Sequence, residues 1–425
     1  MKVLHVITGL GAGGAEQQLR LLLRHLPPDC RSEVVALSNT GVVAAGLRAD
    51  GVRVANLRMN GNRDLAALPR LVRLIRAGDY DVVHCHLYRA SVYGRIAARL
   101  AGVRAIVTTE HSLSPGTIEG RRTTAGVRFL YLATELLGHS TIAVSRSVAD
   151  CLAAWGVSGD RVRQIPNGVD AARYRQPTPV RAAGRQATRT ALGLPQDAFV
   201  IGGLGRLVPG KRFDVLIDAL ALLPDAPRQE PKQELKPGRT PWLLLVGDGP
   251  ERAALRRRAR ANGVADRVVF AGERDDVPEL LTAMDVLAAP SETETFGLAL
   301  VEALAAGLPV RWSSGPALRE LPEAAAPAAR HTRPEPAAYA AELAELAAAR
   351  TRSTGRALAQ PEAVRRYDAA RISLEVADLY RQLTGSPAAG GSPVPTGDAD
   401  RAQPAAAPNP TLPAPSLPEA DHVRS

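Results

Sequence analysis

The chain has 425 residues, 45% of them hydrophobic and 23% charged, which is enough for two domains with separate cores. Its net charge of +10 comes mainly from arginine, but no basic stretch carries interleaved aromatic residues, which argues against nucleic acid as a partner. Three widely spaced cysteines argue against a disulfide framework or a zinc site. The sequence contains no run of about 18 apolar residues, so no membrane span is predicted.

The first part of the chain alternates short apolar segments with helical ones. Val3 to Ile7 is predicted to be a buried strand, and the apolar spacing of Ala15 to Leu26 predicts a helix after a glycine-rich turn. Further strands are predicted at 33–37, 52–57, 82–84, 105–109 and 141–144, and helices at 65–77 and 91–101. This alternation predicts a doubly wound α/β domain over residues 1–176.

A second alternating series follows a segment rich in Pro, Gln and Arg, which is interpreted as a linker at 177–192. Strands are predicted at 198–204, 242–246, 268–271 and 286–289, and helices at 213–223, 251–262 and 277–282. They predict a second doubly wound domain over 193–360, with a mobile surface insertion at 224–241. A helix is predicted at 361–383, and the composition of 384–425 is typical of a disordered tail.

The glycine-rich turn near the N-terminus has the spacing of a dinucleotide-binding fingerprint at Gly9, Gly11 and Gly14. A nicotinamide or flavin site would also need an acid at the end of the second strand to bind the ribose. That strand ends Ala36-Leu37-Ser38-Asn39, without a carboxylate. A dinucleotide oxidoreductase is therefore the least favoured of the possible functions.

The stretch from Pro290 to Val310 places two carboxylates around one predicted helix start. A polar turn follows an apolar strand, and a helix is predicted from Phe296 to Gly307. Glu294 lies in the turn and Glu302 inside the helix. Taken alone, two such glutamates would more often be a capping acid and a solvated residue. Together with free N-terminal amides, however, they suit a ligand with phosphate at one end and hydroxyl groups elsewhere.

Two cations, Arg206 and Lys211, follow the first strand of the second predicted domain. Because ligands of doubly wound domains bind at the carboxyl ends of strands, the pair indicates a diphosphate site. Glu294-Thr-Phe-Gly-Leu298, Glu302 and the following Ala-Leu-Ala-Ala-Gly-Leu-Pro-Val310 resemble the donor-site signature of retaining glycosyltransferases of family 4. Gly11-Ala-Gly-Gly-Ala-Glu16 resembles the first loop of that family, and the likeness extends over residues 1–320.

The resemblance implies the GT-B fold, with two Rossmann-like doubly wound domains that face a cleft and a C-terminal helix that returns to the first domain. It also implies a metal-independent transfer, without a cofactor, from a nucleoside diphosphate sugar to a glycan, lipid or small-molecule acceptor. Arg206 and Lys211 would neutralise the leaving diphosphate, Glu302 would bind the donor ribose and Glu294 the sugar hydroxyls. His111 would lie near the sugar and the acceptor. Further donor contacts are implied at Gly13, Gly14, Gly247, Arg274, Phe296, Gly297 and Leu298.

The sequence departs from the family pattern after Val310. Arg311-Trp-Ser-Ser-Gly-Pro316 stands where the family has an apolar strand and a Gly-Gly turn. An alanine-rich helix is predicted from Pro336 to Ala349, but 321–360 otherwise lacks the strand and helix pattern of the family. Two alternatives therefore stay open beside transfer: a nucleotide-sugar epimerase or hydrolase of the same fold, and a non-catalytic nucleotide-sugar-binding protein.

The composition predicts a cytoplasmic protein. The predicted helix at 65–77 has a basic face at Arg70, Arg73 and Arg76. Such a face is usually only solvated, but it also suits anionic lipid, so a peripheral contact with the inner face of a membrane stays open.

Overall fold

The computed structural model describes residues 1–11, 13–61, 64–175, 177–223, 240–350 and 358–386. These residues form two large parallel sheets flanked by helices, so the predicted pair of doubly wound units is confirmed. We call the part built on the first sheet the N-lobe and the part built on the second sheet the C-lobe. Within the described residues, no helix combines the length and the apolar character needed to cross a bilayer.

The N-lobe is organised around a seven-stranded parallel sheet with four apolar central strands that are buried along most of their length. The N-lobe has ten strands in its described part, seven in this sheet and three in a smaller one. They are β1 (Lys2–Ile7), β2 (Arg31–Ala36), β3 (Arg53–Asn56), β4 (Val82–His86), β5 (Ala105–Glu110), β6 (Leu113–Ser114), β7 (Thr117–Ile118), β8 (Arg121–Arg122), β9 (Ser140–Ala143) and β10 (Val162–Gln164). The strand order is β10-β9-β5-β4-β1-β2-β3, and β6 to β8 form a separate small antiparallel sheet. Its helices are α1 (Gly14–His25), α2 (Val42–Ala49), α3 (Ala67–Gly78), α4 (Tyr88–Ala101), α5 (Ala125–Glu135) and α6 (Arg146–Trp155).

The C-lobe follows the short helix α7 (Ala171–Tyr174) and has a six-stranded parallel sheet. Its strands are β11 (Phe199–Leu204), β12 (Pro241–Val246), β13 (Val268–Gly272), β14 (Val286–Ala289), β15 (Val310–Trp312) and β16 (Ala329–His331). The strand order is β13-β12-β11-β14-β15-β16, so the order reverses between β11 and β14. Its helices are α8 (Thr178–Ala191), α9 (Phe213–Leu222), α10 (Arg252–Ala261), α11 (Val277–Ala283), α12 (Leu298–Ala305), α13 (Pro316–Arg319) and α14 (Pro336–Arg350).

The segment interpreted as a linker at 177–192 is mostly helix α8, so that interpretation is wrong for its secondary structure. Arg185 and Arg189 on this helix each donate to the buried carboxylate of Asp285, at 2.8 Å. Two of the arginines that contribute to the linker-like composition therefore anchor this segment to the C-lobe core.

The region after Val310, where the family's strand and helix pattern is not recognisable in the sequence, contains β15, α13, β16 and α14 in regular alternation. Helix α14 confirms the helix predicted from Pro336 to Ala349. The side chain of Arg311 interrupts the apolar run of β15 but is buried there, because its Nε donates to Glu342 of α14 at 2.8 Å. An ion pair thus replaces the apolar contact that the sequence pattern would require. The departure from the family signature changes side chains here without removing the strand.

The chain ends its described part with two helices, α15 (Glu362–Arg366) and α16 (Ala369–Thr384). α16 lies against α1, and its Tyr380 contacts His84 of the N-lobe sheet, which confirms the predicted return of the last helix. Gly168 lies at the crossover between the lobes, where a Cβ atom would come 2.9 Å from the Cα atom of Ala369. The predicted insertion at 224–241, up to residue 239, and the predicted disordered tail, from residue 387, lie outside the described residues.

Candidate functional site

The carboxyl ends of β11 and β14, which are neighbours in the C-lobe sheet, bring together the cation and the acid that the sequence singled out. Lys211 Nζ lies 2.5 Å from Glu294 Oε1, and Ser291 Oγ donates to the same oxygen at 2.8 Å. The two side chains are 26% and 16% exposed, so the ion pair is open to a ligand but partly shielded from water. Arg206, from the same loop as Lys211, is exposed. The strand ends thus supply a cationic and a carboxylate group side by side.

Gly247 follows β12 and supports the loop of Arg206. Its φ is +132°, and a Cβ atom there would lie 2.1 Å from the carbonyl oxygen of Gly205. Only glycine permits this approach, which lets Leu207 N donate to Asp248 O at 2.9 Å. On this geometry Gly247 acts by fixing the turn that carries Arg206.

Helix α12 begins at Leu298, two residues later than the sequence suggested, after Gly297 in a left-handed conformation with φ of +95°. Phe296 is 3% exposed, and its ring packs edge-on against Tyr367 with centroids 5.0 Å apart. Its side chain therefore belongs to the core, and Phe296 and Gly297 can contact a ligand only through their backbone.

Glu302, one turn into α12, is hydrogen-bonded to a residue that the sequence analysis did not identify. Tyr174 OH donates to Glu302 Oε1 at 2.9 Å, and Tyr174 is buried in the crossover segment between the lobes. Burial raises the pKa of Glu302, and the hydrogen bond from Tyr174 opposes that rise. Tyr174 lies four residues after the segment Asn167-Gly-Val-Asp170, and no sequence pattern predicts its contact with Glu302.

His111 lies just after β5, on the N-lobe side of the same site. Thr295 Oγ1, in the turn that carries Glu294, donates to the backbone oxygen of His111 at 2.7 Å. Burial lowers the pKa of His111 to about 4, so its ring is neutral at pH 7. The structure therefore brings His111 to the C-lobe turn that carries Glu294, and its predicted place near the sugar and the acceptor stays a prediction.

The N-lobe loop ends at Gly13 and Gly14, which are exposed at the start of α1. The carboxylate of Glu16 folds back over Gly13, where a Cβ atom would lie 2.3 Å from Glu16 Oε2. Burial, with a smaller contribution from the charge of Glu119, raises the pKa of Glu16 to about 7. Glu16 is the last residue of the glycine-rich loop motif, and the sequence alone predicts no role for its side chain.

Glu16 predicts a pH dependence of stability. Because its pKa is higher in the folded chain than its ordinary value of 4.5, the folded state holds a proton that the unfolded state has already lost between about pH 4.5 and 7. The contribution of Glu16 to stability therefore falls as the pH rises through this window and is constant above it. Relative to wild type, Glu16→Gln should gain stability over the same window. Guanidinium unfolding of both proteins from pH 5 to 8 measures the difference, and a difference independent of pH would contradict the assignment.

Arg274 lies two residues after Gly272, whose backbone oxygen accepts a hydrogen bond from Gly247 N at 2.8 Å. It follows β13 at the edge of the C-lobe sheet, is 42% exposed and is paired with Asp276 at 2.5 Å. No hydrogen bond or ion pair in the described part of the chain connects it to Arg206, Lys211 or the two glutamates. Its implied contact with the donor stays a prediction.

His5, His84 and His86 form a buried group whose candidate metal-ligating atoms lie within 4.8 Å of one another. His84 is fully occupied, however: Nδ1 lies 2.6 Å from Tyr380 OH and Nε2 lies 2.7 Å from Thr109 Oγ1. A neutral histidine has a single lone pair for a metal, and here the two neighbouring hydroxyl groups already engage both nitrogens. These residues do not fit a three-histidine metal site.

Two family models match the chain. The model described as Glycosyltransferase Family 4 matches residues 12–173, and the model described as Glycosyl transferases group 1 matches residues 184–354. The two regions correspond to the N-lobe and to most of the C-lobe.

Curated relatives share about a third of their residues with this chain over part of their length. A D-inositol 3-phosphate glycosyltransferase of Xylanimonas cellulosilytica is 33% identical over 248 residues, 55% of each chain. A 2-deoxystreptamine glucosyltransferase of Streptomyces kanamyceticus is 33% identical over 261 residues, 58% of this chain and 62% of the relative. The chain thus matches little more than half the length of these relatives.

Solved structures confirm the fold class. The crystal structure of Anabaena HepE in complex with UDP and glucose has a TM-score of 0.75 at 24% identity, covering 90% of this chain and all of that chain. The structure of WaaG, a glycosyltransferase involved in lipopolysaccharide biosynthesis, has a TM-score of 0.63 at 21% identity, covering 89% of this chain and 99% of that one. The architecture of these neighbours is the GT-B fold that the sequence predicted.

Proposed function

Since the chain belongs to the group 1 glycosyltransferases, we propose that it transfers a sugar from a nucleoside diphosphate sugar to an acceptor hydroxyl. The observation that carries this proposal is the contact of Lys211 with Glu294 where β11 and β14 end. An ammonium group suits a diphosphate, and a carboxylate accepts hydrogen bonds from sugar hydroxyls. A ligand that carries both groups can bind across this one pair.

The C-lobe residues have distinct roles in the proposed donor complex. Lys211 and Arg206, with the backbone amides at the start of α12, stabilise the negative charge that develops on the departing diphosphate. Glu302 binds the ribose. When the diphosphate takes up the charge of Lys211, the carboxylate of Glu294 becomes available to the sugar hydroxyls.

The N-lobe closes the proposed site from the other side. Gly13 and Gly14 let the backbone approach the reacting sugar, and His111 orients it as a neutral ring. We propose that the acceptor attacks from the face that the diphosphate leaves, with the leaving phosphate taking the proton, so that the anomeric configuration is retained. The fixed cations Lys211 and Arg206 supply the charge stabilisation that a metal ion would otherwise provide.

The names of the relatives suggest acceptors to test. Several are D-inositol 3-phosphate glycosyltransferases, another is a 2-deoxystreptamine glucosyltransferase, and an Escherichia coli relative at 28% identity is a galactosyltransferase whose name includes a diphosphoundecaprenol acceptor. Both of the first two names describe ring-shaped polyhydroxylated acceptors. We propose a small cyclic polyol as the first acceptor class and a lipid-linked sugar as the second.

The test combines binding with product analysis. A thermal-shift screen of nucleoside diphosphates and their sugars identifies the donor, because a ligand that binds the folded state raises its melting temperature. The selected donor is then incubated with inositol 3-phosphate, 2-deoxystreptamine or a diphosphoundecaprenol-linked sugar, with and without EDTA. The expected product is a glycoside with the anomeric configuration of the donor, formed equally in EDTA. Sugar release or epimerisation without acceptor, or binding without any turnover, would overturn the proposal.

Tyr174→Phe should weaken donor binding without abolishing transfer. The substitution removes the hydrogen bond to Glu302 and raises the pKa of that carboxyl further, since the bond favours the ionised form. A lost hydrogen bond to a charged group corresponds to an increase in donor Kd of roughly tenfold. Isothermal titration with the donor measures the change. Tyr367→Phe removes another buried hydroxyl, which donates to Ala317 O, and serves as the matched control.

Contact with a membrane stays a prediction. On α3, Arg70 donates to Asp64, Arg76 to the backbone oxygen of Leu100 and Arg73 to that of Pro69, at 3.4 Å. All three predicted basic side chains therefore have partners in the N-lobe.

A further inference from the structure

Three histidines of the N-lobe form a hydrogen-bonded series that leads from the sheet interior to the proposed site. His5 lies in β1, His86 ends β4 and His111 follows β5. His5 Nδ1 lies 3.2 Å from His86 Nε2, and His86 Nδ1 lies 3.2 Å from His111 Nε2. We call these three residues the histidine chain. It connects the fully buried ring of His5 to His111, whose backbone oxygen accepts a hydrogen bond from Thr295 in the C-lobe turn.

The rings of the histidine chain are neutral at pH 7. Burial lowers the pKa of His5 to about 3 and that of His111 to about 4, and it lowers the pKa of His86 well below the ordinary value of 6.5. A neutral histidine has one N–H donor and one acceptor nitrogen. Each ring of the chain must therefore donate through one nitrogen and accept through the other.

Only two arrangements then satisfy both contacts. In the first, all three rings carry their proton on Nδ1, so that His5 donates to His86 and His86 donates to His111. In the second, all three carry it on Nε2, and both hydrogen bonds run in the opposite direction. The tautomers are thus coupled, because changing one ring alone places two donors or two acceptors against each other.

The two ends of the chain decide between the arrangements. His5 Nε2 and His111 Nδ1 are both buried without a hydrogen-bond partner in the part of the chain that the structure describes. The first arrangement leaves a lone pair at His5 and an N–H group at His111, and the second reverses this. An unpaired N–H group is rarer in protein interiors than an unpaired acceptor. The first arrangement is favoured, because it places the unpaired N–H group at the end that borders the C-lobe turn, where a bound ligand can supply an acceptor, and leaves only an unpaired acceptor at the completely buried His5.

We propose that His86 and His5 are positioning residues, which hold His111 as the Nδ1–H tautomer so that it donates a hydrogen bond to an oxygen atom of the bound substrate. The proposal rests on the proposed function for its ligand. It assigns a task to two buried rings. In this arrangement the unpaired group at the site end of the chain is a donor, the kind of group that sugar oxygens require as a partner.

The tautomers can be observed directly, without substrate. In the full chain labelled with ¹⁵N-histidine, long-range proton–nitrogen correlation spectra at pH 7 distinguish a protonated from an unprotonated ring nitrogen. The chain has eight histidines, and single substitutions assign the signals. The expected result is Nδ1–H for His5, His86 and His111. Nε2–H at these three residues would overturn the proposal, whereas a failure to find any sugar transfer would leave this readout intact and count against the proposed function alone.

Variants of His86 test the coupling. In His86→Phe, His111 should change to Nε2–H or to a mixture of tautomers, and kcat/KM should fall about tenfold. His86→Asn places an amide where Nδ1 was, and its N–H group can donate to His111 Nε2, so the Nδ1–H tautomer and most of the activity should return. His84→Phe is the matched control, because the His84 ring packs against His86 at a tilt of 36°, with centroids 4.1 Å apart, but bonds to Tyr380 and Thr109. A His111 tautomer that is unchanged in His86→Phe, or altered equally in the control, would refute the coupling.

Discussion

Replacing Lys211 by alanine is expected to lower kcat/KM for sugar transfer by roughly 10²–10³-fold, the usual effect of removing one preorganised charge-stabilising group. The effect has two sources. The departing diphosphate loses a cation, and the carboxylate of Glu294 loses the partner that lies 2.5 Å away. An uncompensated Glu294 would then repel the phosphate groups, so donor binding should weaken together with turnover.

Arg212→Gln is the matched control for Lys211→Ala. Arg212 is the next residue in the chain and is also cationic, but it is engaged by Asp214 at 3.2 Å and Glu292 at 2.6 Å. Its removal should change kcat/KM by less than about threefold, since exposed ion pairs contribute little. Steady-state kinetics with the identified donor compare the two variants. Equal losses in both would show that general surface charge matters and would count against a specific role of Lys211.

The sequence could predict the contact between Lys211 and Glu294 because both residues follow strands of one parallel sheet. The two residues are 83 positions apart in the chain, but the alternation of strands and helices places them at the ends of neighbouring strands. The hydrogen bond from Tyr174 to Glu302 had no such rule behind it. Tyr174 lies in the crossover between the lobes, and its approach to α12 depends on how the two lobes meet, which no local pattern encodes.

Buried charge explains the other failures of sequence reasoning. The composition of 177–192 is rich in Pro, Gln and Arg and therefore predicts a linker, and Arg311 interrupts the apolar pattern of β15. In both places an arginine is buried against a carboxylate, Asp285 in one case and Glu342 in the other. Hydrophobic periodicity cannot identify an ion pair between distant segments. In this arginine-rich chain, some buried segments are therefore not recognised as buried from the sequence.

The same buried charge predicts a large loss of stability in Asp285→Ala. The carboxylate of Asp285 accepts hydrogen bonds from Arg185 and Arg189 of α8, at 2.8 Å each, and from Val200 N at 2.9 Å. The side chain of Arg189 is 0% exposed, so the alanine variant would keep a buried guanidinium without this counter-charge. Breaking a buried pair in this way costs about 3–5 kcal/mol. The free energy of unfolding from guanidinium titrations, followed by tryptophan fluorescence, measures the loss.

An exposed ion pair on α16 serves as the control for the loss of stability expected in Asp285→Ala. Glu375 pairs with Arg371 one turn away on α16, and both side chains are exposed. Glu375→Ala should cost only about 0.3–0.5 kcal/mol, because water already solvates both charges. Since Val200 lies in β11, the strand that ends at the Lys211 loop, the Asp285 contacts also hold α8 to the strand on which the proposed donor site is built. A loss in Asp285→Ala no larger than in Glu375→Ala would show that α8 is not anchored by charge, and the account of the segment at 177–192 would fail with it.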